Sequence, residues 1–406
     1  MSHVPMARLT VAALVLHSCP AAAGHVEIDL RAAIERAHRA APEAVAAEGR
    51  IAEADAAVVG ANVAFTTNPE IEGGVGPRFT PARPLDAEVR LDQNLEPWRR
   101  GPRRQLARAE RHQVGAELDS ELRALDLEVS IAFYEALFAQ QAAELTGRAQ
   151  DLAQRAAAVA ERRRKAGDVT DLDANLARAA SGRARSAGLA AATERSLAVG
   201  RLAALIGAAP DDVITLRGDL KPALPPALAA ARSALATRAD VRVLDAAREV
   251  ATARRAQATA DARPEVGIWA AYQREDTADI VLGGLRMSLP LWNRAQGPHA
   301  AAIAGEQRAT RTRDATLRAA ERQVADALAT YASARQAVDG FEREVAPLLD
   351  DSELLLQKTV DAGQIAVHDY LIARQELMAG RREYLERLLA LAKAAAGVRF
   401  AAGVTP

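Results

Sequence analysis

The chain has 406 residues with 52 Lys and Arg against 53 Asp and Glu, so its formal net charge is −1. That length can bury a large core or build two domains, and balanced charge without a basic tail or stripe leaves no argument for a nucleic-acid partner. Aromatics are only 3% while Ala, Leu, Arg and Glu dominate, a composition suited to long helices packed closely through small side chains.

The N-terminus reads first as a secretory signal over residues 1–23. "MSHVPMARLTVAALVLHSCPAAAG" carries a basic Arg8, an apolar run from Leu9 to Leu16 and then small residues, with Ala21 and Ala23 fitting cleavage after Ala23. Cys19 offers a second reading, because "LHSC" resembles a lipoprotein box with Leu16 three residues before the Cys; His17 fits that box poorly. Both readings stand. Under either, the single Cys cannot form a disulfide within one chain. Beyond residue 24 there is no stretch of 18 uninterrupted apolar residues, so no transmembrane helix is expected. An exported chain of this kind is periplasmic, secreted or built into an outer membrane as strands.

The next segment is helical, with Leu30, Ile34, Ala37 and Ala41 at steps of three and four, until Asn68 before Pro69 stops it. Alternating runs follow: Ile71, Gly73 and Val75, then Val89 and Leu91, on either side of a loop with Pro77, Pro81 and Pro84. Period two around a proline-rich turn predicts a hairpin at about 70–95. "EPWRRGP" then opens a helical stretch, with Pro102 suited to its first position, that runs to Gly167. Gly supplies a left-handed end, Thr170 can cap the next helix, and that helix returns to Leu205.

The second half repeats the order. Pro264 stops a helix, and Val266, Ile268, Ala270 and Tyr272, then Val281, Gly283, Leu285, Met287 and Leu289, predict a hairpin at about 265–289. "PLWNRAQGP" opens the second long helix, with Pro298 in the place of Pro102, and Pro347 predicts a local bend that the first copy lacks. Gly101 to Gly167 and Gly297 to Gly363 are equal spans of more than 60 residues, about 95 Å as helix. In register, Val169 matches Ile365, Asp173 matches Asp369, and Ala366 stands where Thr170 would cap. The division is a first repeat over 24–220 and a second over 221–406. Each predicted strand is near the roughly 9–11 residues that cross a bilayer when tilted. Trp98 and Trp292, where strands leave the sheet, suit a membrane–water boundary, although a core anchor is the other ordinary use of Trp.

The tandem repeat, "NPEIEGG" and "RPEVGIW" before the hairpins, and the returns "KAGDVTDLDANLAR" and "DAGQIAVHDYLIAR" together resemble the TolC-like family of outer-membrane efflux channels. "SLPLWNRAQGP" further resembles its heavy-metal (CzcC-type) branch. The resemblance covers roughly residues 26 to 403. It implies a mainly α protein with membrane β, in which long antiparallel helices plus β-hairpins form a trimeric α-helical barrel and a shared 12-stranded β-barrel. Independently of the resemblance, four strands are too few for a lone membrane barrel and an open edge cannot face lipid, so some oligomer is required. The resemblance also implies an outer-membrane location with a large periplasmic part, a periplasmic adaptor (membrane fusion) protein, and an inner-membrane efflux pump of the RND type. Carried over, Gly167, Val169, Thr170, Gly363, Ile365 and Ala366 are tip residues for adaptor docking, and Asp171, Asp173 and Asp369 are candidate acidic residues of the entrance.

No catalytic constellation and no cofactor site is present. There is no phosphate-cradling glycine loop or nucleophile elbow, and His25, His38, His112, His299 and His368 lack ligand spacing. His368 beside Asp369 reads as a solvated helix-terminal His. The competing reading, a periplasmic coiled-coil scaffold, explains the long helices but not the four alternating runs or their Trp ends.

Overall fold

The computed structural model describes residues 25–79, 85–209, 211–222, 225, 231, 234–275, 278–361 and 365–404. The signal segment, Cys19, Gly363 and parts of both hairpin loops (80–84 and 276–277) lie outside them.

The chain opens with a short strand, β1 (His25–Ile28), then α1 (Leu30–Ala40) and α2 (Pro42–Ala61). The periodicity predicts one helix here, and the structure makes two. Ala41 precedes Pro42 and is extended at φ −64°, ψ 133°, as the proline ring disfavours helical geometry in the residue before it, while Pro42 starts α2 at a position where no N–H is needed. Asp29 caps α1, its Oδ1 accepting from the Ala32 N–H at 2.8 Å.

The hairpin β2 (Glu70–Pro77) and β3 (Leu85–Leu95) leads into α3 (Arg100–Ala166), an unbroken helix of 67 residues and about 100 Å. It begins two residues before Pro102, so both Gly101 and Pro102 lie in its first turn rather than ahead of it. α4 (Asp171–Leu205) returns along α3, and β4 (Val213–Leu216) pairs in parallel with β1. That small sheet has no counterpart in the sequence reading. Its strands are four residues each, too short for a periodicity to show.

The second half repeats the plan as α5 (Ala239–Asp261), β5 (Val266–Glu275), β6 (Ala278–Met287), α6 (Gln296–Glu344), α7 (Ala346–Asp361) and α8 (Val367–Ala402). The bend expected from Pro347 separates α6 from α7. Val345 leaves regular helix at φ −110°, and Pro347 has no N–H to offer the carbonyl four residues back. Around α3, α2 and α5 pack toward the hairpins, and α4 and α8 pack along the rest.

The core sits near the middle of α3, where Val129, Phe133 and Leu137 meet α1, the end of α4, β4 and α8. Truncating Phe133 to Ala there costs about 3–5 kcal/mol by the usual scale for buried aromatics. Two buried charged residues here are paired. Asp126, buried, is 2.6 Å from His38 Nε2 and 3.3 Å from Arg123 Nη1, and buried Arg238 donates to the Ala401 carbonyl at 2.7 Å and to Asp240. Elsewhere the helices carry mostly Ala at their contacts, so they approach closely and stay straight enough to hold the hairpins far from the returns.

Candidate functional site

Two ends of this rod carry the features a function needs: the sheet at one end and the helical returns at the other.

The four long strands form one antiparallel sheet in the order β2-β3-β5-β6, so the hairpins of the two repeats are joined side by side through β3 and β5. Directly paired residues share a face. On one face stand Ile71 with Leu91, Val75 with Ala87, Val89 with Tyr272, Ile268 with Leu285, and Val266 with Met287. The opposite face carries Glu72 with Arg90, Asp92 with Trp269, Asn94 with Gly267, and Gly267 with Arg286; Ile280 and Leu282 are its large aliphatic exceptions. The polar face is cross-linked. Asp92 receives Arg90 at 2.7 Å and lies 3.3 Å from Arg286, Arg286 donates to Asn94 at 2.6 Å, and Arg90 stacks 4.6 Å over the Trp269 ring. Gly284 is required beneath that ring, since a Cβ there would come within 2.9 Å of it.

Among the described residues nothing covers the apolar face. Ile71, Val75, Leu85, Val89, Leu91, Ile268, Tyr272, Val281, Leu285 and Met287 are all exposed. At about 1.5–3 kcal/mol for each large apolar side chain left in water, this face forfeits a sum comparable to a typical domain's net stability. Such a face belongs in an apolar medium. The strands have 8, 11, 10 and 10 residues; three reach the roughly 9–11 of a tilted bilayer crossing and β2 falls just short. Among the described residues no helix is long and apolar enough to cross a membrane. Among the described residues the outer edges, β2 and β6, have no partner strand.

The two Trp residues at the sheet's base differ. Trp98, 38% exposed, donates Nε1–H to the Pro264 carbonyl at 2.8 Å, and Arg263 lies 5.9 Å from its ring. Arg99 beside it donates to Glu265 at 2.6 Å. The first repeat is thus clamped to the second where their hairpins meet. Trp292 is 86% exposed. The turn that carries it ends at Ala295, the one non-glycine residue among those described with positive φ (55°), whose N–H is held by Asn293 Oδ1 at 3.1 Å.

At the far end the first return is closed by backbone geometry. Gly167 adopts φ 82°, its N–H bonds the Arg164 carbonyl at 3.0 Å, and the Asp168 N–H bonds the Arg163 carbonyl at 2.9 Å, the paired pattern of a Schellman stop. Thr170 caps α4 as expected, and Asp173 completes a capping box by accepting from the Thr170 N–H at 3.2 Å. Asp171 receives Arg164 at 3.2 Å, and Arg164 also grips Glu161 at 2.8 Å. These bonds hold the Glu161 carboxyl below the usual carboxylate range and raise the Arg164 guanidinium above its own. Two of the three acidic candidates are therefore committed to closing the turn; Asp369 is exposed.

Val169 and Ile365, expected at the exposed tip, are half-buried, whereas Gly167, Thr170 and Ala366 are exposed. The exposed apolar residue of the first return is Leu172, at 66%. Repeat matching passes over it because its partner in register is His368. No local signal separates it from Val169, since both are apolar residues of the same turn.

The second return has an N-cap, Ala366, with no side-chain bond. It is braced instead by an ion cluster one to four turns back. Arg374 donates to Glu353 at 3.0 Å, and Arg381 donates to Glu353 at 3.3 Å and to Asp350. Partial burial works against its charge, yet the two guanidinium groups hold Glu353 below the ordinary glutamate range. Gly380 lets α8 approach α7 at Leu349, where a Cβ would stand 2.9 Å from the leucine methyl.

No protein-family model matches the sequence, and no curated protein matches it. Among solved structures the chain superposes on the CusC transmembrane channel with TM-score 0.73 at 17% identity, covering 92% of each chain. It superposes on the Vibrio cholerae outer-membrane protein VceC with TM-score 0.70 at 19% identity, covering 92% of this chain and 96% of that one. For the open Neisseria gonorrhoeae MtrE outer-membrane channel the values are 0.74 and 17%, with 93% and 89% covered. The chain has the fold of these membrane proteins.

Proposed function

We propose that this chain is the outer-membrane channel of a tripartite efflux system, a passive exit duct for substrates that an inner-membrane pump delivers through a periplasmic adaptor. The observation that carries this reading is the sheet, apolar on one face, polar on the other and unpaired at both edges, held at the end of a helical rod about 100 Å long. A membrane barrel needs lipid outside, water inside and no free edge. Copies of this sheet joined edge to edge meet all three demands. Three copies would give the shared 12-stranded barrel, with the two repeats of each chain (24–220 and 221–406) forming the periplasmic tunnel. The structural neighbours named above, by description a transmembrane channel, an outer-membrane protein and an outer-membrane channel, support the assignment.

In this reading the returns face the adaptor. Gly167, Thr170, Leu172, Ala366 and Asp369 offer the exposed surface, while Val169 and Ile365 support it from beneath. The pump is of the RND type, and the CzcC-like "SLPLWNRAQGP" makes heavy-metal cations the first substrates to assay. Trp98 and Trp292 stand at the inner rim of the barrel, and residues 1–23 act as the export signal, unless Cys19 carries a lipid.

Mass measurement in mild detergent, with single-channel conductance in a planar bilayer, tests the channel. A trimer that conducts is expected, and a stable monomer overturns the reading. Topology is tested with Phe79→Cys and Ala278→Cys, which lie at the ends of the hairpins away from the helices. An impermeant thiol reagent should label both on intact cells; labelling only after the envelope is broken would place these ends in the periplasm.

A further inference from the structure

Trp98 is seated and Trp292 is not, although each stands three residues after a matching leucine, Leu95 and Leu289, at the end of its hairpin. Trp98 finds its acceptor because β5 lies beside β3 and brings the Pro264 carbonyl to it. β6 is an edge, so among the described residues nothing in the same chain stands in that place for Trp292. The missing counterpart exists on the opposite edge. Asn68-Pro69-Glu70 leads into β2 as Arg263-Pro264-Glu265 leads into β5, and Pro69 and Glu70 are exposed. The turn lengths agree with this. At the inner junction the turns 96–99 and 262–265 have four residues each, whereas the turns beside the open edges, 62–69 and 288–295, have eight each. Val63 and Phe65 of the first outer turn are exposed, as are Leu289, Leu291 and Trp292 of the second.

We propose that Trp292 and Arg294 close onto the Pro69–Glu70 turn of a second copy of this chain, repeating between copies the clamp that Trp98 and Arg99 make within one. The inference rests on the channel reading above and specifies the seam. Transferring the β3–β5 register, where Leu95 faces Val266, to the equivalent residues sets Leu289 opposite Ile71 of the second copy. Met287 then faces Gly73, and Leu285 faces Val75. The register passes an independent check, because all six lie on the apolar face or its direct continuation, whereas a slip of one residue would set that face against the polar one. Trp292 would donate its N–H to the carbonyl of Pro69 in the second copy, and Arg294 would pair with Glu70 as Arg99 pairs with Glu265.

The test is disulfide trapping in a Cys19→Ser background, on the protein in its membrane. Leu285→Cys with Val75→Cys places thiols on directly opposed residues, whose Cα spacing of about 4.5–5.5 Å suits a disulfide. Leu285→Cys with Gly73→Cys is the slipped control. Oxidation should link copies through the first pair and not the second, and either single variant alone should stay unlinked. Linkage through the control, or no linkage while the wild-type mass remains that of a multimer, overturns the seam and leaves the channel reading intact. A wild-type monomer would instead overturn the channel reading. The clamp has its own readout in charge reversal. Arg294→Glu and Glu70→Arg should each lower the fraction of multimer several-fold, and the double variant should restore it. Failure of that restoration removes the ion pair from the proposal.

Discussion

The two helical returns occupy matching places in the chain and, among the described residues, are held by different contacts. The first is closed locally: a left-handed glycine, a Schellman pair of backbone bonds and a reciprocal Thr170–Asp173 cap, all between Arg163 and Asp173. The second has no capping side chain, arrives through a helix already broken before Pro347, and is braced by Arg374, Arg381, Glu353 and Asp350 farther along. A closure made by backbone geometry is fixed by a few neighbouring residues, and one made by ion pairs depends on two helices staying in register.

The largest expected effect comes from exchanging the breaks. Asp151 in α3 stands 196 residues before Pro347, the same offset that separates Gly167 from Gly363. Asp151→Pro should cost about 3 kcal/mol, because it removes a helical hydrogen bond and crowds the preceding turn. A clear drop in the apparent melting temperature in detergent is expected, and an unchanged melt would mean the first helix does not depend on its continuity. Next is Gly167→Val. At φ 82° a β-branched side chain is strained by about 1–3 kcal/mol, whereas Gly182→Ala, in the exposed interior of α4, should stabilise by about 0.5–1 kcal/mol. Equal effects from the two would deny Gly167 its special role.

The caps provide a smaller and more discriminating pair. Thr170→Ala should cost about 1 kcal/mol, and Ala366→Asp should gain a comparable fraction by giving the second return the cap it lacks. A loss from Ala366→Asp would show that the second return tolerates no reshaping. The smallest effect is a pH dependence. Glu353 has a lowered folded-state pKa, so its contribution is present above its unfolded value and is lost as the pH falls through the folded one. Acidification below roughly pH 4.3 should therefore loosen the second return by up to about 1 kcal/mol for a partly exposed cluster. Glu353→Gln should remove that part of the dependence, which hydrogen exchange of α7 and α8 would follow.

The sequence was most informative where a signal is local and repeated. The alternation of Ile71 to Val75 and of Val266 to Tyr272 places both hairpins, Gly167 and Thr170 end and begin their helices as their residue types require, and Pro347 marks its own break. It was least informative where long-range contact decides. Nothing near Val169 says that it turns inward while Leu172 turns outward, since both are apolar residues at the same turn. Asp171 and Asp173 read as free carboxylates until Arg164 and Thr170 are brought to them by folding. The β1–β4 pair joins segments almost 190 residues apart, through strands too short to announce themselves. The break at Ala41 was available in principle, because Pro42 was in plain view, and the apolar periodicity running through it masked the stop.

The glycines of the sheet are unevenly placed. The edge strand β2 holds Gly73, Gly74 and Gly76 and ends in Pro77, and the other edge, β6, holds Gly283 and Gly284; the central strands β3 and β5 have only Gly267 between them. Glycine and proline are poor strand formers, so the two sticky edges are also the least eager to pair. A chain crossing an aqueous compartment alone would otherwise present a ready template for unwanted strand addition. In the channel proposed above, reluctant edges would keep that addition from running ahead of assembly, and valines at Gly73 and Gly76 should speed aggregation of the refolding chain before any membrane mimic is added.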